Sequence, residues 1–127
     1  MGMEKTILVV DDSALARMFA IRCLQIAGQS KAIFLEAEHG QAALDVMRST
    51  AIDLLVTDIT MPVMGGVDLV KQMKEIEKLA SIPIIVITSA GNQAERQALE
   101  EYGAKAVLTK PLTPPMMAEV LDRVFTK

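Results

Sequence analysis

The sequence predicts an α/β domain built on a doubly wound, five-stranded parallel sheet with five helices. Three observations carry this. Five short apolar runs alternate strictly with five helix-patterned stretches. Three of the runs are almost continuous Ile, Leu and Val, as expected of strands covered on both faces. Polar residues gather directly after the strands, where ligands bind in open α/β sheets.

Thr6 to Val10 is the first strand, and it stops abruptly at Asp11-Asp12. Ser13 to Ala27 reads as a helix, with Gly28 just past its end, where a left-handed residue is favoured. Ala32 to Glu36 is the second strand and Gln41 to Ser49 the second helix. Ile52 to Thr57 is the third strand. A loop containing Met61-Pro62-Val63-Met64-Gly65-Gly66 separates it from the helix Val67 to Leu79. Ile84 to Thr88 is the fourth strand, and the helix Asn92 to Tyr102 ends before Gly103. After the fifth strand, Ala106 to Thr109, Thr113 is placed to N-cap a helix from Pro114 to Phe125, with proline in its first turn. Right-handed crossovers put helices on both faces. No linker, repeat or low-complexity stretch interrupts the alternation, so residues 1–127 are expected to form one domain.

Composition narrows the function. The 127 residues are 51% hydrophobic and 23% charged, with 3% aromatics and no Trp, which predicts an aliphatic core. A net charge of −3 supplies no basic footprint for nucleic acid and no polybasic membrane patch. No apolar run approaches the ~20 residues that span a bilayer, and the N-terminus lacks a signal-peptide pattern, so a cytoplasmic location is expected. Cys23 stands alone in an apolar helical stretch, which rules out an internal disulfide and points to a small core residue. His39, in Glu38-His39-Gly40, reads as an exposed loop residue, not a phospho-carrier.

The strand ends hold the chemistry. Asp11 and Asp12 follow the first strand, and Asp58 the third. Thr88-Ser89 ends the fourth and Thr109-Lys110-Pro111 the fifth. One edge of the sheet therefore gathers three carboxylates, two hydroxyls and a lysine. Crowded carboxylates resist ionisation without a compensating cation. An all-oxygen donor set suits magnesium rather than zinc, since histidine and cysteine ligands are absent. Asp11 and Asp12 taken alone fit equally well as residues capping a helix N-terminus. Asp58 fits that role less well, because a loop and not a helix follows it. Lys110, opposite the acids, is placed to neutralise an anion.

Together these residues resemble the receiver domain of two-component response regulators, and in particular its single-domain, CheY-like members. The resemblance rests on Val9-Val10-Asp11-Asp12, Asp58, Met61-Pro62-Val63-Met64-Gly65-Gly66, Thr88-Ser89-Ala90 and Lys110-Pro111, in order and spacing along the whole chain. It implies a flavodoxin-like sheet of order 2-1-3-4-5. It also implies that Asp58 is the nucleophile that becomes an aspartyl phosphate. Asp12, Asp58 and the backbone carbonyl of Thr60 would ligate Mg2+, and Asp11 would act through a metal-bound water. Lys110 would pair with phosphoryl oxygens, and the Thr88 hydroxyl would report phosphorylation to the surface. The resemblance also implies that Thr60 and Ala90 hold the positions that would govern access of water to the phosphate. One departure concerns the switch. Receivers often carry Tyr or Phe three residues before the lysine, and Val107 stands there instead.

The phosphoryl donor implied is a histidine kinase or histidine phosphotransfer protein, and a downstream protein would read the switched surface. On the first helix, Ala16, Ala20, Cys23 and Ala27, with Phe19 nearby, share one face expected to meet the sheet. Leu15 and Met18 point away from that face. With the loop from Pro111 to Pro115, including Pro114, they form the expected docking surface for the histidine-bearing partner. A monomer is expected. Two other chemistries compete. A haloacid-dehalogenase-like phosphatase would need Asp-x-Asp, and this chain has Asp58-Ile59-Thr60. A flavodoxin-like flavin binder would need a phosphate loop after the first strand, where Asp11-Asp12 repel phosphate.

Overall fold

A computed structural model describes residues 4–89 and 93–125. Thr6–Val10 (β1), Ile33–Ala37 (β2), Leu54–Asp58 (β3), Ile84–Thr88 (β4) and Ala106–Thr109 (β5) form one sheet. All pairings are parallel and the strand order is β2-β1-β3-β4-β5. The helices are Ala14–Leu24 (α1), Gly40–Ser49 (α2), Gly66–Glu75 (α3), Gln93–Glu101 (α4) and Pro114–Phe125 (α5). The fold class and strand order match those expected.

Strand alternation explains the two-sided core. Leu8 and Val10 of β1, with Ile84 and Val86 of β4, pack on one face against Leu44, Leu69, Met73 and Leu99 from α2, α3 and α4. Ile7 and Val9, with Ile85 and Ile87, pack on the other against Cys23, Leu24, Met117 and Leu121 from α1 and α5. Cys23 is buried there, as expected, and burial pushes its thiol pKa up. Among the described residues no helix is long and apolar enough to cross a membrane.

Several boundaries differ from the sequence reading. The first helix does not run evenly to Ala27. It passes into a wider π-type turn over Gln25–Gln29, where Gly28 takes φ 120°. The third strand begins at Leu54 rather than Ile52, because the chain turns at Asp53, whose carboxylate accepts the Thr6 N–H at 2.8 Å. The third helix ends at Glu75, short of Leu79, because Ile76 turns extended. Leu79 is still buried in the core, which is why the apolar pattern continued past the helix. The start of the fourth helix expected at Asn92 lies outside the described residues. Its end holds: Gly103, at φ 98°, donates to Glu100 O and Ala104 donates to Leu99 O, a Schellman closure.

Candidate phosphorylation site

The site sits at the carboxyl edge of the sheet because β1 and β3 are neighbours in register. Val10 lies opposite Thr57, so the residues that follow, Asp11 and Asp58, emerge side by side. Carboxylate oxygens of Asp11, Asp12 and Asp58 all lie within 4.8 Å of one another. From the end of β5, Lys110 places Nζ 3.6 Å from Asp58 Oδ2 and 3.7 Å from Asp11 Oδ2. One lysine against three carboxylates leaves an excess of negative charge, and a hard divalent cation fits this donor set.

Each acid is held differently. Asp11 is buried, and its Oδ1 accepts the Ser13 N–H at 2.9 Å. Its N–H donates to Ala37 O at 3.1 Å. Burial raises the Asp11 pKa; the Ser13 hydrogen bond and Lys110 work against this, and the Asp58 charge and Asp12 add to it. Asp12 is exposed at the mouth. Asp58 is half-buried, and its Oδ1 accepts the Ile59 N–H at 2.8 Å.

The loop after Asp58 is tightly built. Gly66 N–H donates to Ile59 O at 2.7 Å, and a Cβ on Gly66 would overlap the Asp58 carbonyl, so only glycine fits there. Val63 takes φ 66° at the centre of a γ-turn closed by Met64 N–H to Pro62 O. A β-branched residue in that region is strained by roughly 1–3 kcal/mol. Thr60 lies on this loop and is exposed. Ala90 lies outside the described residues.

Thr88 closes β4 with its side chain buried, its Oγ1 donating to Ser89 O at 3.0 Å. Lys110 N–H donates to Thr88 O at 2.8 Å, which ties the lysine to the end of β4. The Lys110–Pro111 bond is cis. Val107 is buried in the middle of β5.

A family model for the response regulator receiver domain matches residues 7–122. This chain belongs to that family. The receiver is 36% identical over 120 residues to a chemotaxis protein CheY homolog of Campylobacter jejuni, covering 94% of this chain and 91% of that one. It is 38% identical over 120 residues to the chemotaxis protein CheY1 of Helicobacter pylori, covering 94% and 95%. Its structure is similar to that of the chemotaxis response regulator CheY4 of Vibrio cholerae, with a TM-score of 0.83 at 29% identity, over 97% of this chain and all of that one. These likenesses favour neither the phosphatase nor the flavin binder.

Two residues correct the sequence reading. Phe19 does not join the sheet-facing group and is 53% exposed. The core face of α1 centres on Ala20, Cys23 and the fully buried Leu24, and Phe19 lies roughly 90° away at 3.6 residues per turn. His39 is half-buried rather than exposed: its Nδ1 accepts the Ala42 N–H at 3.1 Å and caps α2. Pro114 opens α5, and Lys110, Pro111 and Leu112 line the cleft beside α1. Leu15 and Met18 are exposed on the rim of that cleft, which has a volume of about 920 Å³.

The sequence reading also missed Arg17. Its signal was a cation near the N-terminus of a helix, where the helix dipole disfavours positive charge. Such a residue is usually engaged elsewhere, and this one reaches Asp11 and Glu36.

Proposed function

We propose that the receiver accepts a phosphoryl group on Asp58, with Mg2+ held by Asp12, Asp58 and the carbonyl of Thr60. The observation that carries this is the meeting of three carboxylates within 4.8 Å with Lys110 Nζ at 3.6 Å from Asp58. The donor is a phosphohistidine on a histidine kinase or histidine phosphotransfer protein. An Asp58 carboxylate oxygen forms a bond to phosphorus while the P–N bond breaks and its electron pair returns to the imidazole. Such transfers need alignment and charge neutralisation more than covalent help. Bound at the carboxylates, Mg2+ supplies positive charge to the transferred phosphoryl oxygens. Asp11 would orient a water on the bound metal, and Lys110 would pair with phosphoryl oxygens.

The product adds roughly −1.5 to −2 charges and new acceptor oxygens. Thr88 then exchanges its local acceptor, Ser89 O, for a phosphoryl oxygen. That exchange biases the surface read by a downstream protein. Leu15 and Met18, beside Asp11, form the surface on which the histidine protein docks, with the loop from Pro111 to Pro115 flanking it.

Titration with Mg2+ followed by NMR tests the metal reading, since no Trp is present to report. Asp12→Ala is expected to weaken Mg2+ binding strongly and to slow phosphorylation by acetyl phosphate. Unchanged affinity in Asp12→Ala removes the assignment.

A further inference from the structure

Arg17 is mostly buried near the start of α1. Its Nη1 donates to the backbone carbonyl of Asp11 at 2.7 Å, and its Nε donates to Glu36 Oε1 on β2 at 2.7 Å. The side chain is 14% exposed, against 47% for Glu36. A charge this enclosed is retained only where it is paired, and here two short bonds pair it.

The carbonyl it holds belongs to the peptide that joins Asp11 to Asp12. Three other bonds already pin the Asp11 side of that peptide and the turn after it: Asp11 N–H to Ala37 O, Ser13 N–H to Asp11 Oδ1, and Ala16 N–H to Ser13 Oγ. The Ser13 bond spans the Asp11–Asp12 peptide, and Arg17 adds a direct bond to that peptide's carbonyl oxygen. Because Asp12 is exposed, packing does not fix its carboxylate, and the backbone sets the Cβ position from which that carboxylate reaches.

We propose that Arg17 is a positioning residue for phosphorylation: with Glu36 as its strut, it fixes the Asp11–Asp12 peptide and so aims the Asp12 carboxylate at the metal position. The inference rests on the reading that Asp12 ligates Mg2+. Groups that orient metal ligands from behind typically change metal affinity by 10–100-fold when removed. Positive charge close to an acidic cluster would by itself repel a cation. Loss of Arg17 therefore separates two outcomes: a purely electrostatic role predicts tighter Mg2+ binding, and a positioning role predicts weaker binding.

The test uses the full chain. Mg2+ affinity is measured by NMR titration, and the Mg2+ dependence of phosphorylation by acetyl phosphate is measured in parallel. In Arg17→Met the half-saturating Mg2+ concentration rises about tenfold, while the rate at saturating Mg2+ stays near that of the parent. Glu36→Gln keeps the strut's shape and its acceptor oxygen but removes its charge, so it shifts affinity in the same direction by less. Ile52→Val, a core change at the opposite edge of the sheet, controls for general loosening and leaves Mg2+ affinity unchanged. Arg17→Met affinity equal to or tighter than the parent overturns the inference, as does a loss matched by Ile52→Val. A parent protein that fails to bind Mg2+, or an Asp12→Ala variant that binds it normally, overturns the metal reading and the inference with it.

Discussion

Arg96 on α4 donates through Nη2 to the carbonyl of Val107 on β5 at 2.9 Å, and through Nη1 to Thr109 Oγ1 at 3.2 Å. The bond runs from a helix to the backbone of an edge strand, three positions before the strand delivers Lys110. Thr109 in turn lies opposite Thr88 in the β4–β5 register. Where many receivers place an aromatic ring, this one has a small buried valine with a guanidinium held on its carbonyl. The side chain is 37% exposed, so water screens the interaction.

Removing that tie loosens α4 without touching the phosphorylation chemistry. Arg96→Met is expected to cost about 1 kcal/mol, less than the usual 1.5–3 for a charged hydrogen bond because of its exposure. Val107→Ala is expected to cost about 1 kcal/mol as a packing loss. Urea unfolding measures both, and both variants are expected to phosphorylate normally. Lost signalling in a folded, phosphorylatable Val107→Ala protein would show that the valine side chain itself carries the switch.

Asp11 sets a pH dependence of opposite sign to that of a salt-bridged acid. Burial raises its pKa above the ordinary 3.8, so ionising it costs more in the folded chain than in the unfolded one. Its contribution to stability is full below pH 3.8 and is lost as pH rises through the folded value. In metal-free buffer Asp11→Asn is therefore expected to be more stable than the parent at neutral pH, with the gap closing in acid. Mg2+ is expected to stabilise the parent more than this variant, since binding to the native state adds to stability. Thermal melts with and without chelator check both points. A less stable Asp11→Asn at neutral pH contradicts the first.

Much of this was legible in the residues because strands buried on both faces leave little freedom. Leu54-Leu55-Val56 brackets Asp58 at a strand end, and Ala106 to Thr109 does the same for Lys110. The carboxyl edge and its charges then follow from topology. What was not legible depends on tertiary contact. Leu79 keeps the apolar period beyond the last turn of α3 because it packs in the core from a turn. Phe19 misled because the buried face of α1 is set by Leu24, and helix periodicity alone does not choose between adjacent apolar faces. Val63 has a positive φ that no glycine or asparagine announces. Arg96 acts on a backbone carbonyl, which carries no sequence signature, and Arg17 is flagged only by its place in the first turns of a helix, not by the carbonyl it holds.

Docking separates from chemistry at Leu15 and Met18. Both are largely exposed on α1 beside the acidic pocket, at 74% and 61%. Leu15→Asp or Met18→Asp is expected to impair phosphotransfer from the cognate histidine protein. Phosphorylation by acetyl phosphate is expected to stay nearly normal, because the carboxylates and Lys110 are untouched. Rates for both donors are read on the same folded variant. Equal loss of both points to a damaged site or fold, and equal retention leaves the apolar surface without a docking role.

The central claim is that Asp58 is the acceptor, and chemical mapping tests it most directly. The chain is treated with acetyl phosphate and Mg2+, and its intact mass is read before and after hydroxylamine. Borohydride reduction of the acyl phosphate, followed by peptide sequencing, then locates the modified residue. The expected result is the gain of one hydroxylamine-labile phosphoryl group, absent without Mg2+ and in Asp58→Asn, with the reduced residue at position 58. A phosphoryl group that survives hydroxylamine, or one that maps to any residue other than Asp58, would contradict the account.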